Sequence, residues 1–311
     1  MFPTSNRRDF LGALIKGAAG LSLSLPYQGF AQGSGALMTT KLSDNLLQIS
    51  GAGGNVVAVT GPDGVVLVNG GSGEHSASLL KLVSEQSPGK PIQALFNTDW
   101  HPEHTGSNET LGKAGAKIIA HENTKSYLSE DMFVDWQNRT YKARPKAALP
   151  NQTFYAGGKM TFGKERMEYA HLGQAHTDGD IYVFFPGPNV LMVGDALSVG
   201  KYPVADYTTG GWIGGLKDAT KTLLSLANAE TRVVPGVGPL QTSADLQAQL
   251  DMLTAMQDRL RQMMRQGMGP EDMLAAGITK EFDGKWGNPE VFVSVAWRGM
   301  WLHVRELGGI V

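Results

Sequence analysis

The chain has 311 residues, with 27 Lys and Arg against 29 Asp and Glu and a formal net charge of −2. Its 41% apolar and 18% charged residues are globular proportions, enough for one large domain or two small ones. No Lys/Arg run or basic face points to nucleic acid. There is no Cys, which excludes disulfides, thiolate zinc sites, cysteine nucleophiles and Fe–S clusters. Any metal must therefore be held by carboxylates and by the chain's 7 His.

The N-terminus reads as an export signal. Ser5-Asn6-Arg7-Arg8-Asp9-Phe10-Leu11 is a twin-arginine pattern. A weakly apolar stretch over residues 11–25 follows, then Pro26 and a small-residue site near Phe30-Ala31-Gln32. Charge, apolar core, helix breaker and small residue come in the order of a signal, not of a short amphipathic helix. Lys16 inside the apolar stretch fits the mildly hydrophobic twin-arginine type. The expected organisation is a signal over 1–31 and a folded domain over 32–311, delivered to the bacterial periplasm. Beyond the signal no stretch is long and apolar enough to span a membrane.

Short Val- and Ile-rich runs predict strands over residues 46–50, 55–60 and 65–69, separated by Gly-rich turns. Gly51-Ala52-Gly53-Gly54-Asn55 precedes a strand, not a helix, so it is not a dinucleotide-binding loop. Residues 76–86 have helical apolar spacing, 92–96 read as a buried strand, 108–113 as a short helix and 116–120 as a strand. Residues 121–150 mix aromatic and basic side chains. They are expected to be an insertion over one face of the core, with its aromatics tucked underneath. Strands follow over 159–162, 166–171, 181–185, 190–193 and 232–234. A Gly-rich loop is expected over 202–215, and helices over 216–228, 243–266 and 288–307. The two halves each combine strands and helices, which predicts an α/β fold of two face-to-face sheets with helices outside, a four-layer αββα sandwich.

The chemistry concentrates after the strand at 92–96, in Asn97-Thr98-Asp99-Trp100-His101-Pro102-Glu103-His104-Thr105-Gly106. Asp99, His101, Glu103 and His104 are all potential ligands on a loop leaving a strand, where side chains can converge on one point. The stretch resembles the metal loop of the metallo-β-lactamase-fold hydrolases, His-x-His-x-Asp-His, with Asp99 in place of the first His and Glu103 in place of the Asp. Gly173-Gln174-Ala175-His176-Thr177-Asp178-Gly179-Asp180 is similar to that family's Gly-x-x-His-Thr-x-Gly-Asp turn. Val190-Leu191-Met192-Val193-Gly194-Asp195 is similar to its strand ending in Gly-Asp. Val234-Pro235-Gly236-Val237-Gly238-Pro239 is similar to Pro-Gly-His-Gly-Pro, with Val237 replacing a ligand His. Asn69-Gly70-Gly71 stands where the family has Asp-Thr-Gly or similar.

The resemblance implies the metallo-β-lactamase type of αββα sandwich and one divalent metal on Asp99, His101, His176 and Asp195. Zn is expected, with Fe or Mn as alternatives. Only Glu103, His104 and Asp195 remain for a second metal, which predicts a weak or empty second site. The implied mechanism is attack by a metal-bound hydroxide. Glu103 would orient the water or act as general base, and His104 would protonate a leaving group. Asp180 is expected to orient a ligand or tie its own turn. His75, His121, His171 and His303 are expected to be structural or exposed, and Trp100, Tyr202, Tyr207 and Trp212 to shape the pocket mouth. The overall expectation is a periplasmic metal-dependent hydrolase of a small ester, lactone, amide or related substrate, with no nucleic-acid partner and no membrane association once the signal is removed. The rival readings are a degenerate binding or accessory protein, and a mononuclear non-haem iron enzyme using oxygen.

Overall fold

The computed structural model describes residues 36–306. The export signal expected over 1–31 lies outside them. In chain order the strands are β1 (Met38–Lys41), β2 (Leu46–Ser50), β3 (Val56–Thr60), β4 (Val65–Val68), β5 (Ile92–Phe96), β6 (Lys117–His121), β7 (Met132–Val134), β8 (Arg139–Tyr141), β9 (Gln152–Phe154), β10 (Gly157–Phe162), β11 (Glu165–His171), β12 (Ile181–Phe185), β13 (Val190–Gly194) and β14 (Arg232–Pro235). A seven-stranded sheet runs in the order β1-β2-β3-β4-β5-β6-β9. A five-stranded sheet runs β10-β11-β12-β13-β14, and β7 and β8 form a separate hairpin.

The layers follow from the side-chain alternation of the central strands. Val57, Val59, Val66, Val68 and Phe96 of the first sheet face Val183, Phe185, Met192 and Val234 of the second, all within one buried cluster. The alternate residues Val56, Ala58, Val65, Leu67 and Leu95 point the other way, onto Leu79 and Val83 of the helix Ser76–Gln86. Leu191, Val193 and Val233 carry the outer face of the second sheet against the helices Ile213–Leu226 and Ser243–Arg265. Strands buried on both faces must be apolar throughout, which is why β3, β4 and β13 read as continuous hydrophobic runs. Each fully buried Val, Leu or Phe contributes roughly 1.5–3 kcal/mol of transfer free energy. The expected four-layer sandwich is the one observed.

The differences lie at the edges. The helix expected from residue 216 begins at Ile213, and the exposed edge strand β1, the short β9 and the β7–β8 hairpin were not read from sequence. The strands among them are three or four residues long and largely exposed or half-polar, too short for an alternating apolar pattern, and β9 is specified by its distant partner β6. No helix among the described residues is long and apolar enough to cross a membrane.

One structural histidine carries a measurable consequence. His121 is buried at the end of β6, where its Nδ1 accepts from Asn123 N (3.2 Å) and caps the helix Glu122–Ser129. Its ring stacks on His171 at 3.8 Å. Burial, reinforced by the neighbouring His171, holds its pKa down at about 4 against the ordinary 6.5. The folded pKa lies below the unfolded one. The stability contributed by neutral His121 is therefore full above pH 6.5 and is lost as pH falls through about 4. Urea denaturation across that window should show a smaller loss of stability in His121→Phe than in the wild type; equal losses would contradict this assignment.

Candidate metal centre

Parallel pairing of β4 with β5 and of β13 with β14 brings the C-terminal ends of these strands to one rim of the sandwich. Ligands bind outside such ends in α/β sheets. After β5 the chain passes Asn97 and Thr98 and enters the short helix Pro102–Thr105, with His101 as its N-cap and Pro102 at its first position. The β11–β12 connection presents His176, and Asp195 directly follows β13. Backbone hydrogen bonds hold these loops together: Ile181 N donates to Thr98 O (2.9 Å), Gly236 N to Gly194 O (2.8 Å) and Asn55 N to Gly236 O (2.7 Å).

Two triads of ligand atoms form here, His101/His176/Asp195 and Asp99/His104/Asp195, each with its atoms within 4.8 Å of one another. In the first triad both imidazoles are pinned from behind. His176 Nδ1 lies 2.7 Å from Val204 O, and a carbonyl can only accept, so Nδ1 carries the proton and Nε2 offers a lone pair. His101 Nδ1 lies 3.2 Å from Asp99 Oδ1, which also accepts from His101 N at 2.8 Å. Outer hydrogen bonds of this kind set the tautomer and orientation of a metal-binding histidine. His176 Nε2 is 3.6 Å from Asp195 Oδ2. Two imidazole nitrogens and a carboxylate suit a divalent Zn, Fe or Mn ion with positions left for water and substrate.

The electrostatics agree. Burial by itself would disfavour the imidazolium form of His101, yet the hydrogen bond and charge of Asp99 hold its pKa up at about 9. Burial also disfavours charge on His104, against the opposing pull of Asp99 and Asp195. Asp195 is pushed up by burial and pulled further down by His104, His176 and His101, so it stays ionised. The centre thus gathers buried negative charge that calls for cations.

Asp99 is not grouped with His101, His176 and Asp195 as the sequence suggested. Its Oδ1 is taken by His101 and its Oδ2 lies 3.4 Å from His104 Nε2, in the other triad. His104 is completely buried and does not line the cleft, so its side chain does not reach a substrate there. Glu103, one turn position earlier, does line it. Asp180 ties its own turn, accepting from His176 N (2.6 Å) and Thr177 Oγ1 (2.6 Å).

The cleft in front of His101, His176 and Asp195 encloses about 340 Å³. Its mouth is not built from the expected aromatics. Trp100 is buried and stacks on His101 (4.5 Å), Tyr202 donates to Asp283 (2.8 Å), Tyr207 to Asp135 (2.8 Å), and Trp212 stacks on His303 (3.7 Å). The wall instead comes from the 121–150 insertion, through Trp136, Gln137, Arg139 and Tyr141 on and beside the β7–β8 hairpin. Trp136 Nε1 donates to the buried Asp206 Oδ1 (2.9 Å), fixing the hairpin over the site. The alternation of basic and aromatic residues at Trp136, Arg139 and Tyr141 was the available signal. Lys201 and Val237 complete the lining. Burial lowers the Lys201 pKa against the opposing pull of Asp195 and Glu103.

Solved structures of low sequence identity share this fold. A metallo-beta-lactamase from Pontibacter korlensis is 20% identical with a TM-score of 0.57, over 70% of this chain and 99% of that one. The DIM-1 metallo-beta-lactamase is 18% identical with a TM-score of 0.55, over 71% of this chain and 98% of that one. The stereoselective inverting sec-alkylsulfatase Pisa1 from Pseudomonas sp. is 17% identical with a TM-score of 0.65, over 88% of this chain but only 55% of the sulfatase. The family model described as the metallo-beta-lactamase superfamily matches residues 50–239. That span runs from the end of β2 through the loop after β14, more than half of the chain, and includes every ligand candidate, so the chain belongs to the metallo-beta-lactamase superfamily.

Proposed function

We propose that this protein is a periplasmic hydrolase that uses a single divalent metal, most simply zinc, held by His101, His176 and Asp195. Membership of the superfamily implies metal-dependent hydrolase-type chemistry. The observation that carries the finer reading is the pinning of both imidazoles at Nδ1 by Asp99 Oδ1 and Val204 O, which leaves their Nε2 atoms for a metal, His176 Nε2 lying 3.6 Å from Asp195. The chemistry such a metal supplies is Lewis-acid activation of water and of the scissile group. Glu103 lines the same cleft, and its charge is felt by both His101 and Lys201, which supports its role as the base that takes the proton from the attacking water. Arg139 and Lys201 offer positive charge to an electron-rich substrate group, while Trp136 and Tyr141 cover its apolar part. The substrate class is a small ester, lactone or amide, to which the sulfatase neighbour adds secondary alkyl sulfates. Delivery to the periplasm rests on the Arg7-Arg8 pattern.

The test is a substrate screen over these classes with protein recovered from a periplasmic fraction, before and after chelation. Turnover should appear in one class and vanish with the metal. Glu103→Gln should lower kcat by about 10²–10⁴-fold with metal content unchanged. Turnover indifferent to chelation would sink the hydrolase reading, and an unprocessed N-terminus would sink the export reading.

A further inference from the structure

The second triad, Asp99/His104/Asp195, looks as complete as the first by distance alone. His104 Nε2 lies 3.4 Å from Asp99 Oδ2 and 3.2 Å from Asp195 Oδ1, and it is buried without a well-aligned hydrogen-bond partner. That atom carries either a metal or a proton, and the far side of the ring decides which. His104 Nδ1 faces Asn69 Nδ2 at 2.8 Å. The orientation of that amide is fixed, because Asn69 Oδ1 accepts from Thr98 N (2.9 Å) and from Thr98 Oγ1 (3.0 Å), and a backbone N–H can only donate. The amide NH₂ therefore points at Nδ1. Asn69 cannot swing away: it is fully buried, sits at φ 66, and its own N donates to Phe96 O (2.7 Å).

We infer that Asn69 is a positioning residue that makes His104 Nδ1 an acceptor, leaves the His104 proton on Nε2 between Asp99 and Asp195, and so bars the second triad from holding a metal. The contrast with the first triad is direct. His176 and His101 present Nδ1–H to acceptors and free their Nε2 lone pairs, whereas His104 meets a donor and has its lone pair used on the outer side. The Nε2–H of His104 points between the two carboxylates, 3.4 Å from Asp99 Oδ2 and 3.2 Å from Asp195 Oδ1, where a second metal would need a lone pair. The inference deepens the single-metal reading above and rests on it for the position of the one metal.

Asn69→Asp is nearly isosteric and keeps an acceptor for Thr98, but it offers His104 Nδ1 an oxygen and would release Nε2 as a ligand. Zinc titration of the purified chain, read by elemental analysis after desalting, should give one equivalent in the wild type and two in Asn69→Asp. Independently, heteronuclear NMR of the histidine ring nitrogens should show His104 protonated at Nε2 and bare at Nδ1 in the wild type, with or without zinc. Two equivalents in the wild type, a folded Asn69→Asp that still takes one, or a wild-type His104 protonated at Nδ1, alone or together with Nε2, would each overturn the inference. No zinc in the wild type would instead defeat the single-metal reading, and the ring-nitrogen spectrum would then decide the role of Asn69 alone.

Discussion

His176→Ala should strip the metal from the purified protein and abolish hydrolysis while leaving the fold standing. The imidazole lost is the one whose state is least ambiguous, since Val204 O forces the proton onto Nδ1 and turns the Nε2 lone pair to Asp195. The ring is not a keystone of the core. The turn around it is held by Asp180, which accepts from the backbone N of His176 and Thr177, and by Asp206 N donating to His176 O (2.7 Å). All of these bonds survive truncation to alanine. Losing a ligand should weaken metal binding by more than the about 10–100-fold that removing an outer-shell partner costs. Asp99→Asn supplies that comparison. If Asp99 acts by holding His101 Nδ1, the variant should lose about 10–100-fold in affinity and still bind. If Asp99 is itself a ligand, the variant should fall as far as His176→Ala. Competition with a chromophoric chelator separates the outcomes, and wild-type metal affinity in His176→Ala would refute the assignment of the site.

The sequence exposed the parts of this centre that depend on local geometry. His176 sits in a turn whose Thr177, Gly179 and Asp180 are there to close that turn, and Asp195 follows a buried strand with Gly194 at φ 55. Both are visible as strings of residues. Asp99 was not legible in the same way. It lies two residues from His101, a spacing that serves a ligand or a side chain folding back onto its own loop, and its Oδ1 folds back onto His101. His104 was assigned to the substrate from its place in the loop, but the first turn of the helix Pro102–Thr105 sends its ring inward under Asp195 while Glu103 faces the cleft. The cleft wall was the least legible part. Trp136 reaches it because Asp206, distant in sequence, accepts its indole proton, and no local pattern encodes that pairing.

Gly236→Ala should remove the metal as completely as loss of a ligand, without touching one. Gly236 follows β14 in the loop where Val237 occupies an apolar position on the cleft. A Cβ at 236 would stand 2.1 Å from Asp195 Oδ1 and 2.9 Å from His104 Cε1. The backbone has nowhere to retreat, because Gly236 N donates to Gly194 O (2.8 Å) while Gly236 O accepts from Asn55 N (2.7 Å). Asn55 is itself anchored, its amide donating to Pro235 O (2.9 Å) and Gly238 O (2.8 Å). What yields is the Asp195 carboxylate, the one ligand that both triads share. Overpacking of this kind costs about 1–3 kcal/mol in stability, little enough for a folded product. Val237→Ala, at the next residue, opens space where Gly236→Ala fills it, and it should keep its metal. The expected result is therefore a folded, metal-free Gly236→Ala beside a metal-loaded Val237→Ala, read by elemental analysis and urea denaturation of the same preparations. Full metal content in Gly236→Ala would mean that Asp195 can reach the ion from another position, and that the tight approach of this loop does not fix the centre.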